Sequence, residues 1–203
     1  MKELIIFGAG GHAKVVADLA IQTGYKIRGF LDDHPTAPSC LDYPILGCIE
    51  DCLNFPKADF ALGIGNNAVR KRIMEQFHLN FPILIHPRAT VSPFSTVGAG
   101  TVVMAGAVIN PCSEIGQGCI INTCASVDHD CCIGDYVHIS VGAHVAGTVT
   151  IRDDAWIGAG ATISNNIKIA NKCMIGAGAV VITDIRELGT YVGVPAKKLK
   201  SSN

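Results

Sequence analysis

The chain has 203 residues, enough for one domain or two small ones with a real hydrophobic core. Its 16 Lys and Arg residues nearly balance its 17 Asp and Glu residues, so the composition indicates neither a nucleic-acid-binding surface nor a basic patch for membranes. Charged residues make up only 16% of the chain, less than usual, and we therefore expect part of the surface to be covered in an oligomer.

The apolar run at the start of the chain is interrupted by glycines after residue 7, too soon for an export signal. No later stretch is long enough to cross a bilayer. These features predict a cytoplasmic protein. In a reducing compartment the nine cysteines are expected to be free thiols and not a disulfide framework.

Residues 1–82 are predicted to form a small α/β domain, in which Gly24 ends the first helix and segment 47–55 belongs to a connection. The predicted strands are residues 4–7, 26–33 and 58–67, and the predicted helices are residues 13–25 and 68–77. This βαβ-type unit corresponds to about half of a doubly wound, Rossmann-like domain.

A glycine-rich motif, GAGGHA at residues 8–13, lies between the first predicted strand and the first helix. It fits the pattern G-x-G-x-x-A, and Asp32 and Asp33 follow about twenty residues later, which is a weak fingerprint of a dinucleotide site. Glycines at this position let the phosphates of a ligand approach the backbone at a helix N-terminus. Only half of a doubly wound domain is present, with no second mononucleotide-binding unit. The motif alone therefore leaves both NAD and a smaller nucleotide as candidate ligands.

From Ile85 to Val181 the sequence repeats with a period of six. Every sixth residue, seventeen in all, is Ile or Val, and small side chains dominate two positions before each of them. Hexapeptide repeats are typical of a parallel β-helix. Residues 83–203 are therefore predicted to form a coil with three hexads per turn and between five and six turns, followed by a C-terminal tail. We expect the left-handed form, an exception to the usual right-handed crossover.

The repeat also assigns side chains to the inside and the corners of this coil. The Ile or Val and the small residue before it are expected to point inward, which makes Cys119, Cys131 and Cys173 core residues. Glycines directly after many of the repeat positions, such as Gly98 and Gly116, are expected to relieve awkward backbone angles at the corners.

Three histidines lie close together in the coil sequence. His138 and His144 occupy outward positions on successive faces, so they should not meet within one chain. His129 is expected at a corner, where its neighbours one turn away, eighteen residues before and after it, are Pro111 and Gly147.

His129 is the candidate catalytic base, because a neutral imidazole accepts a proton near physiological pH and the neighbouring Asp130 can fix its tautomer. A single coil has no deep pocket, so a site is expected in a groove between packed coils. Without a repeated C-x-x-C pattern, a zinc site could form only between chains, which keeps a γ-class carbonic anhydrase as an alternative.

The coil resembles the left-handed β-helix acyltransferases, and the whole chain is similar to bacterial sugar acetyltransferases of the PglD/NeuD type. The matching motifs, in chain order, are GAGGHA, FLDD, IGNN followed by Arg70, LIHPRA, INTCASVDHD, HISVGAHVAG and YVGVPAKKL. The resemblance implies a homotrimer with active sites between subunits, acetyl-CoA as co-substrate and no metal. It also favours a nucleotide-linked sugar over NAD as the ligand of the N-terminal domain.

The resemblance further implies roles for individual residues. His129 would be the general base and Asp130 the residue that orients it. Residues that would contact the nucleotide sugar are Gly8, Gly10, Gly11, His12, Asp32, Asp33, Asn66 and Asn122. Residues that would line the acetyl-CoA groove are His138, Gly147, Ile157 and Gly176, and the tail residues Gly193, Pro195 and Lys197 would cover its end, with Lys198 and Lys200 adding positive charge for the phosphates.

The predicted function is acetyl-CoA-dependent N-acetylation of a UDP- or GDP-linked 4-amino sugar for glycan biosynthesis, by direct transfer in a ternary complex. An acyl-cysteine intermediate is not expected, because no cysteine has a clear base beside it. Two alternatives are O-acetylation of sialic acid, which predicts little use for Asp32 and Asp33, and a non-catalytic trimer that only binds a nucleotide sugar.

Overall fold

The computed structural model describes residues 2–199, which form an α/β unit followed by a parallel β-helix. The elements of the first unit are β1 (Glu3–Phe7), α1 (Gly11–Gln22), β2 (Lys26–Leu31), β3 (Ser39–Cys40), β4 (Tyr43–Gly47), a 3₁₀ helix (Ile49–Asn54), β5 (Asp59–Leu62) and α2 (Asn67–Gln76). The sheet order is β3-β4-β2-β1-β5, and all neighbours are parallel except β3 and β4. The three predicted strands and two predicted helices are all present.

Two parts of the prediction for this unit are wrong. The proline-containing connection holds β3 and β4, whose short, proline-bearing sequences at the sheet edge carry no clear strand pattern. The third predicted strand ends at Leu62 and does not continue to residue 67. At Gly63 the chain passes so close to α1 that an added Cβ would lie 2.7 Å from the Cβ of Ala13.

The β-helix contains seventeen two-residue strands on three faces. They are β6 (Leu84–Ile85), β7 (Thr90–Val91), β8 (Thr96–Val97), β9 (Val102–Val103), β10 (Val108–Ile109), β11 (Glu114–Ile115), β12 (Ile120–Ile121), β13 (Ser126–Val127), β14 (Cys132–Ile133), β15 (His138–Ile139), β16 (His144–Val145), β17 (Thr150–Ile151), β18 (Trp156–Ile157), β19 (Thr162–Ile163), β20 (Lys168–Ile169), β21 (Met174–Ile175) and β22 (Val180–Val181).

Each strand pairs in parallel with the strand three places along the chain, so the partner of every residue is eighteen positions away. The first face holds β6, β9, β12, β15, β18 and β21, the second holds β7, β10, β13, β16, β19 and β22, and the third holds β8, β11, β14, β17 and β20. With three strands per turn the coil has between five and six turns, as predicted. Its left-handed sense stays a prediction.

The interior of the coil is filled by the repeated Ile and Val side chains. The fourteen from Val103 to Val181 are buried, and the small residues between them, including Cys119, Cys131 and Cys173, pack beside them. Each fully buried Ile or Val contributes roughly 1.5–3 kcal/mol. The first turn departs from the prediction, since Ile85 is 36% exposed and Val91 and Val97 are half-buried. These side chains are less buried because, among the described residues, the first turn has a stacked turn on one side only.

The corners of the coil are made differently from the prediction. Gly98, Gly116 and their equivalents do not carry the positive φ angles. They are glycine because the next turn is too close: a Cβ on Gly116 would lie 2.6 Å from the carbonyl oxygen of Gly134. The left-handed residues come two positions later and repeat every six residues, as Gly100, Gly106, Cys112, Gly118, Cys124, Asp130, Tyr136, Gly142, Thr148, Asp154, Gly160, Asn166, Lys172 and Gly178.

The two units are joined by buried contacts along the first face of the coil. Arg70 of α2 is 1% exposed and donates hydrogen bonds of 2.9 Å to the carbonyl oxygens of Gly118 and Tyr136 in the coil and of Gly65 in its own unit. Burial lowers the pKa of Arg70 to about 10, so the guanidinium stays charged at neutral pH. The boundary between 1–82 and 83–203 stays a prediction.

The C-terminal tail continues the first face of the coil. β23 (Thr190–Val192) pairs in parallel with β21, and β24 (Lys197–Lys198) turns back antiparallel to β23. Within residues 2–199, none of the helices is long and apolar enough to cross a membrane.

Candidate active site

His129 lies at the corner that joins the second and third faces, between β13 and β14. Its Nδ1 is 2.7 Å from Oδ2 of Asp130, and about half of each side chain is exposed. Asp130 is one of the left-handed corner residues, with φ of 57°, and this conformation accompanies the contact between the two adjacent side chains. Because a carboxylate accepts and cannot donate, the Nδ1 atom carries the hydrogen and Nε2 is left as the proton acceptor.

A second carboxylate, Asp128, supports the same corner and was missed by the sequence analysis. Its Oδ1 accepts the backbone N–H of His129 at 2.8 Å and the side-chain Nδ2 of Asn110 at 2.7 Å. The hydrogen bond from Asn110 and that from the backbone of His129 hold the pKa of Asp128 below its usual value. The signal was present in the sequence, since Asn110 and Asp128 are separated by the eighteen residues of one turn.

The two carboxylates and the glycine beneath make His129 suitable as a base. The hydrogen bond to Asp130, followed by the charge of Asp128, raises the pKa of His129 above its ordinary value. A Cβ on Gly147 would lie 2.6 Å from Nε2 of His129, so only glycine leaves room for the imidazole. The backbone N–H of Thr148 donates to the His129 carbonyl at 2.9 Å, which confirms the predicted stacking of adjacent turns.

His138 lies elsewhere, buried where the first face meets the N-terminal unit. Its Nε2 is 3.2 Å from Nδ2 of Asn122, its ring stacks on Trp156 at 5.2 Å, and its centroid is 6.3 Å from that of His12. Asn122 Oδ1 accepts the N–H of Thr123, which directs the Asn122 amide nitrogen at His138. His138 and Asn122 are thus brought together, while His144 is exposed on the second face, where its Nδ1 contacts Ser126 Oγ at 2.9 Å.

Both histidines at this junction are held neutral. Burial, followed by the charge of Arg70, lowers the pKa of His138 to about 3 and that of His12 to about 4. Nδ1 of His138 and Nε2 of His12 are buried without a hydrogen-bond partner among the described residues. His138 is therefore a poor proton acceptor compared with His129.

The predicted nucleotide-binding loop follows β1. Gly8 has φ of 88°, and a Cβ there would lie 2.7 Å from Ile64, whereas Gly10 and Gly11 border open space. α1 starts at this loop without a side-chain cap on its first N–H groups. The loop therefore leaves the N-terminus of α1 accessible to an anionic group.

Three predicted ligands of the sugar nucleotide have structural partners. Asp32 accepts the N–H of Ala9 at 2.7 Å and Asp33 accepts the N–H of Ile49 at 2.9 Å. A cavity of about 330 Å³ borders Gly8 and both of these carboxylates. Asn66 caps α2 by accepting the N–H of Val69 at 3.2 Å, and it also lines a cleft of about 790 Å³ between α2 and the coil.

The residues predicted for acetyl-CoA are divided between two edges of the coil. Gly147 lies beside His129, whereas His138 and Gly176 belong to the first face or the corner that follows it. The Ile157 side chain is fully buried, so only its backbone can line a groove. Gly193, Pro195 and Lys197 lie in the tail that extends the first face, and Lys200 lies outside the described residues.

The cysteines and possible metal ligands were also assigned from the sequence. All nine cysteines are free, and Cys112, Cys124 and Cys132 are among the exposed ones. Burial raises the pKa of Cys119 to about 12, which makes this thiol unreactive. Between residues 2 and 199, no three His, Cys, Asp or Glu side chains are grouped so that they could hold a metal ion.

Comparison with known proteins gives matches in both parts of the chain. Residues 3–77 match the family model of the PglD N-terminal domain, and residues 148–183 match the model of the bacterial transferase hexapeptide (six repeats). The chain is 37% identical over 119 residues to UDP-N-acetylbacillosamine N-acetyltransferase of Bacillus subtilis (strain 168). That match covers 52% of this chain and 52% of the curated relative, about half the length of each.

Two solved structures are similar over nearly the whole chain. The acetyltransferase domain of PglB from Neisseria gonorrhoeae FA1090, solved free and with acetyl coenzyme A, is 42% identical with a TM-score of 0.93, and the match covers 98% of this chain and at least 99% of that one. PerB from Caulobacter crescentus, in complex with CoA and GDP-perosamine, is 33% identical with a TM-score of 0.91, and the match covers 98% of each chain.

A PglD-type N-terminal domain joined to a hexapeptide-repeat β-helix places the chain among the hexapeptide-repeat acyltransferases. Within that class, the chain belongs to the bacterial sugar acetyltransferases that carry a PglD-type N-terminal domain.

Proposed function

We propose that the protein transfers an acetyl group from acetyl-CoA to the amine of a nucleotide-linked amino sugar, in the cytoplasm. The observation that carries this proposal is the His129–Asp130 pair, which exposes Nε2 over Gly147 at the edge of the coil. Support comes from relatives solved with acetyl-CoA and with GDP-perosamine, and from a relative named for acting on a UDP-linked amino sugar.

In this mechanism His129 accepts the proton that the sugar amine loses. The amine nitrogen forms a bond to the acetyl carbon, the carbon–sulfur bond breaks, and CoA leaves as its thiol. Asp130 holds the Nδ1–H tautomer and stabilises the imidazolium that forms on proton transfer. Binding both substrates in one groove supplies much of the rate through positioning. A histidine-to-alanine mutant of a GDP-perosamine N-acetyltransferase from Caulobacter crescentus has been solved with CoA and GDP-perosamine bound. In that protein the histidine is thus not needed for binding, which is consistent with a histidine that acts in the chemical step.

The working form in this proposal is a homotrimer. His129 and Gly147 lie at one edge of the coil, while His138, Gly176 and the tail lie at the first face or its edge. One chain cannot bring these residues around a single acetyl-CoA molecule, but two coils packed side by side can. The active site is then a groove between subunits, with one supplying the base and its neighbour supplying the first face.

The nucleotide part of the acceptor is assigned to the N-terminal domain. The open backbone at Gly10 and Gly11 and the uncapped start of α1 suit a diphosphate. Asp32 and Asp33 hold the surrounding loops by accepting backbone N–H groups, and both residues border the cavity. His12 follows the same loop, and Asn122 lies beside His138, close to the acceptor in this arrangement.

The decisive assay measures CoA release with UDP- and GDP-linked 4-amino sugars and with free sialic acid as acceptors. Turnover with a nucleotide amino sugar is expected. Turnover with sialic acid alone would replace N-acetylation by O-acetylation. Binding of a nucleotide sugar without any turnover would instead favour the non-catalytic trimer.

His129→Ala is expected to lower kcat roughly 100- to 10,000-fold, because the amine loses its proton acceptor. The dissociation constant of acetyl-CoA, measured by calorimetry, should change little. The matched control is His144→Ala, which removes an exposed histidine from the second face and should leave turnover within a few-fold of wild type. Near-normal turnover in His129→Ala would remove His129 from the mechanism.

A further inference from the structure

Asn110 stacks on Asp128, the residue that precedes the proposed base, and among the described residues its side chain makes no hydrogen bond to His129. It follows β10 on the second face, one complete turn before Asp128. Its Nδ2 atom donates to Oδ1 of Asp128 at 2.7 Å, and the Asn110 side chain is half-buried. Asp128 uses that same oxygen to accept the N–H of His129 at 2.8 Å. The contacts form a chain from the Asn110 amide through one carboxylate oxygen to the backbone of the base.

The contact from Asn110 fixes a side chain that is otherwise free to turn. Asp128 is on the outside of the coil, where solvent competes for its carboxylate. The donors recorded for that carboxylate within residues 2–199 are the N–H of His129 and the amide of Asn110. Two donors on one oxygen define the χ angles of Asp128, whereas with one donor the Asp128 side chain can still rotate. Hydrogen bonds to a charged acceptor are short and directional, which suits this role.

A different contact supports the inner side of the same corner. Ser113 Oγ donates to the carbonyl oxygen of Asp128 at 2.6 Å and accepts the N–H of Cys131 at 3.1 Å. Thr101 makes the equivalent contacts with Gly116 and Cys119 at another corner, so this support belongs to the coil. The contact from Asn110, by contrast, acts on the carboxylate that faces the base.

We propose that Asn110 is a positioning residue for the general base: by holding the Asp128 carboxylate against the backbone of His129, it sets the place and the electrostatic surroundings of the imidazole. This inference rests on the proposed function for its kinetic consequence, but not for its effect on the titration of His129. Asn110 itself has no contact with the reacting atoms in this mechanism.

The test uses Asn110→Ala and Asn110→Asp, with Asn171→Ala as the control at a different, exposed edge of the coil. The titration of the His129 ring is followed by NMR in each full-length protein. Alanine frees Asp128, so the titration midpoint of His129 should fall toward that of an isolated histidine. Aspartate adds a second negative charge at the same place, so the midpoint should rise. Asn171→Ala should leave it unchanged.

Kinetics supply the second readout. Both Asn110 variants should lose about five- to twenty-fold in kcat, with KM for acetyl-CoA and for the sugar within about two-fold, because binding residues are untouched while the base is displaced. Thermal melting separates this effect from unfolding.

Three outcomes would overturn the inference: an unmoved His129 titration in both variants, a shift in the same direction in both, or unchanged kcat. If wild-type protein acetylates no sugar, the proposed function fails, while the titration still decides the role of Asn110.

Discussion

At the scale of single residues, the candidate site depends on one histidine between two carboxylates. Asp130 bonds the ring and Asp128 bonds the backbone of His129. The sequence predicted Asp130 because it is adjacent to His129, but it could not predict that a left-handed corner accompanies the contact. It missed Asp128 because the relation to Asn110 appears only when residues are compared across a full turn.

Asp130→Asn tests this arrangement, and asparagine also tolerates the left-handed conformation, so the fold should be kept. Because the hydrogen bond from His129 to Asp130 raises the pKa of His129, its loss should lower that pKa. The base must be neutral to act, so activity is lost as the pH falls through the pKa of His129. The acid limb of kcat/KM should therefore move to lower pH in the variant, with a reduced plateau. A limb that stays in place would contradict the role given to Asp130.

At the scale of elements, the hexad pattern predicted the strands, the turns and the buried positions because every turn repeats the same backbone path with the same inward-pointing positions. It did not predict why particular corners need glycine. Where glycine follows a repeat position, as at Gly98 and Gly116, it avoids the neighbouring turn, and the residue with positive φ comes two positions later. The strands β3 and β4 were missed for a related reason, since β4 pairs with β2 and β3 with β4, and neither strand has a clear pattern of its own.

Thr148 is the β-branched residue among the left-handed corner positions, with φ of 60°. Thr148→Gly should raise stability by about 0.5–1 kcal/mol, because relief of the left-handed strain exceeds the added flexibility of the unfolded chain. Thermal or denaturant unfolding measures the change. The control is Thr162→Gly on the exposed side of β19, where glycine should destabilise the strand. Equal destabilisation by both substitutions would show that the corner stores no strain at Thr148.

At the scale of the whole molecule, the α/β unit and the coil meet around Arg70, His12 and His138. The sequence placed Arg70 and His138 on the right elements, but it left His12 in the loop before the first helix and gave no sign that the three residues share a buried junction. Such contacts join residues far apart in the chain, for example the 48 positions between Arg70 and Gly118, and no local pattern encodes them. The same junction contains positive charge and two neutral histidines.

This junction predicts a loss of stability in acid. His12 has a pKa of about 4 in the fold against 6.5 in an unfolded chain, so the unfolded state takes up the proton first. The contribution of neutral His12 to the free energy of unfolding should be fully present above pH 6.5 and be lost as the pH drops toward 4. The loss from this residue is about 3 kcal/mol. His138 adds a loss of the same sign. The slope is measured by denaturant unfolding between pH 7 and pH 4, which covers the interval between the unfolded and the folded pKa values of His12.

His12→Phe keeps an aromatic ring at the junction and removes its proton uptake, so the slope against pH should become shallower. The control is His78→Gln, which changes an exposed histidine and should leave the slope as in wild type. A slope in His12→Phe equal to that of the wild type would exclude His12 as a source of acid sensitivity.

The fixed pairing distance in the coil has a further consequence for how its length can change. Among the strands from Leu84 to Val181, paired residues lie eighteen positions apart, and the contact between Asn110 and Asp128 follows the same spacing. An insertion or deletion of one whole turn keeps the remaining residues stacked on their equivalents in the next turn. An insertion or deletion of any other number of residues within the stacked hexads moves polar side chains into the interior or against the wrong face. Growth of the coil is therefore confined to steps of eighteen residues unless the extra residues leave it as a loop, and none do so between Leu84 and Val181.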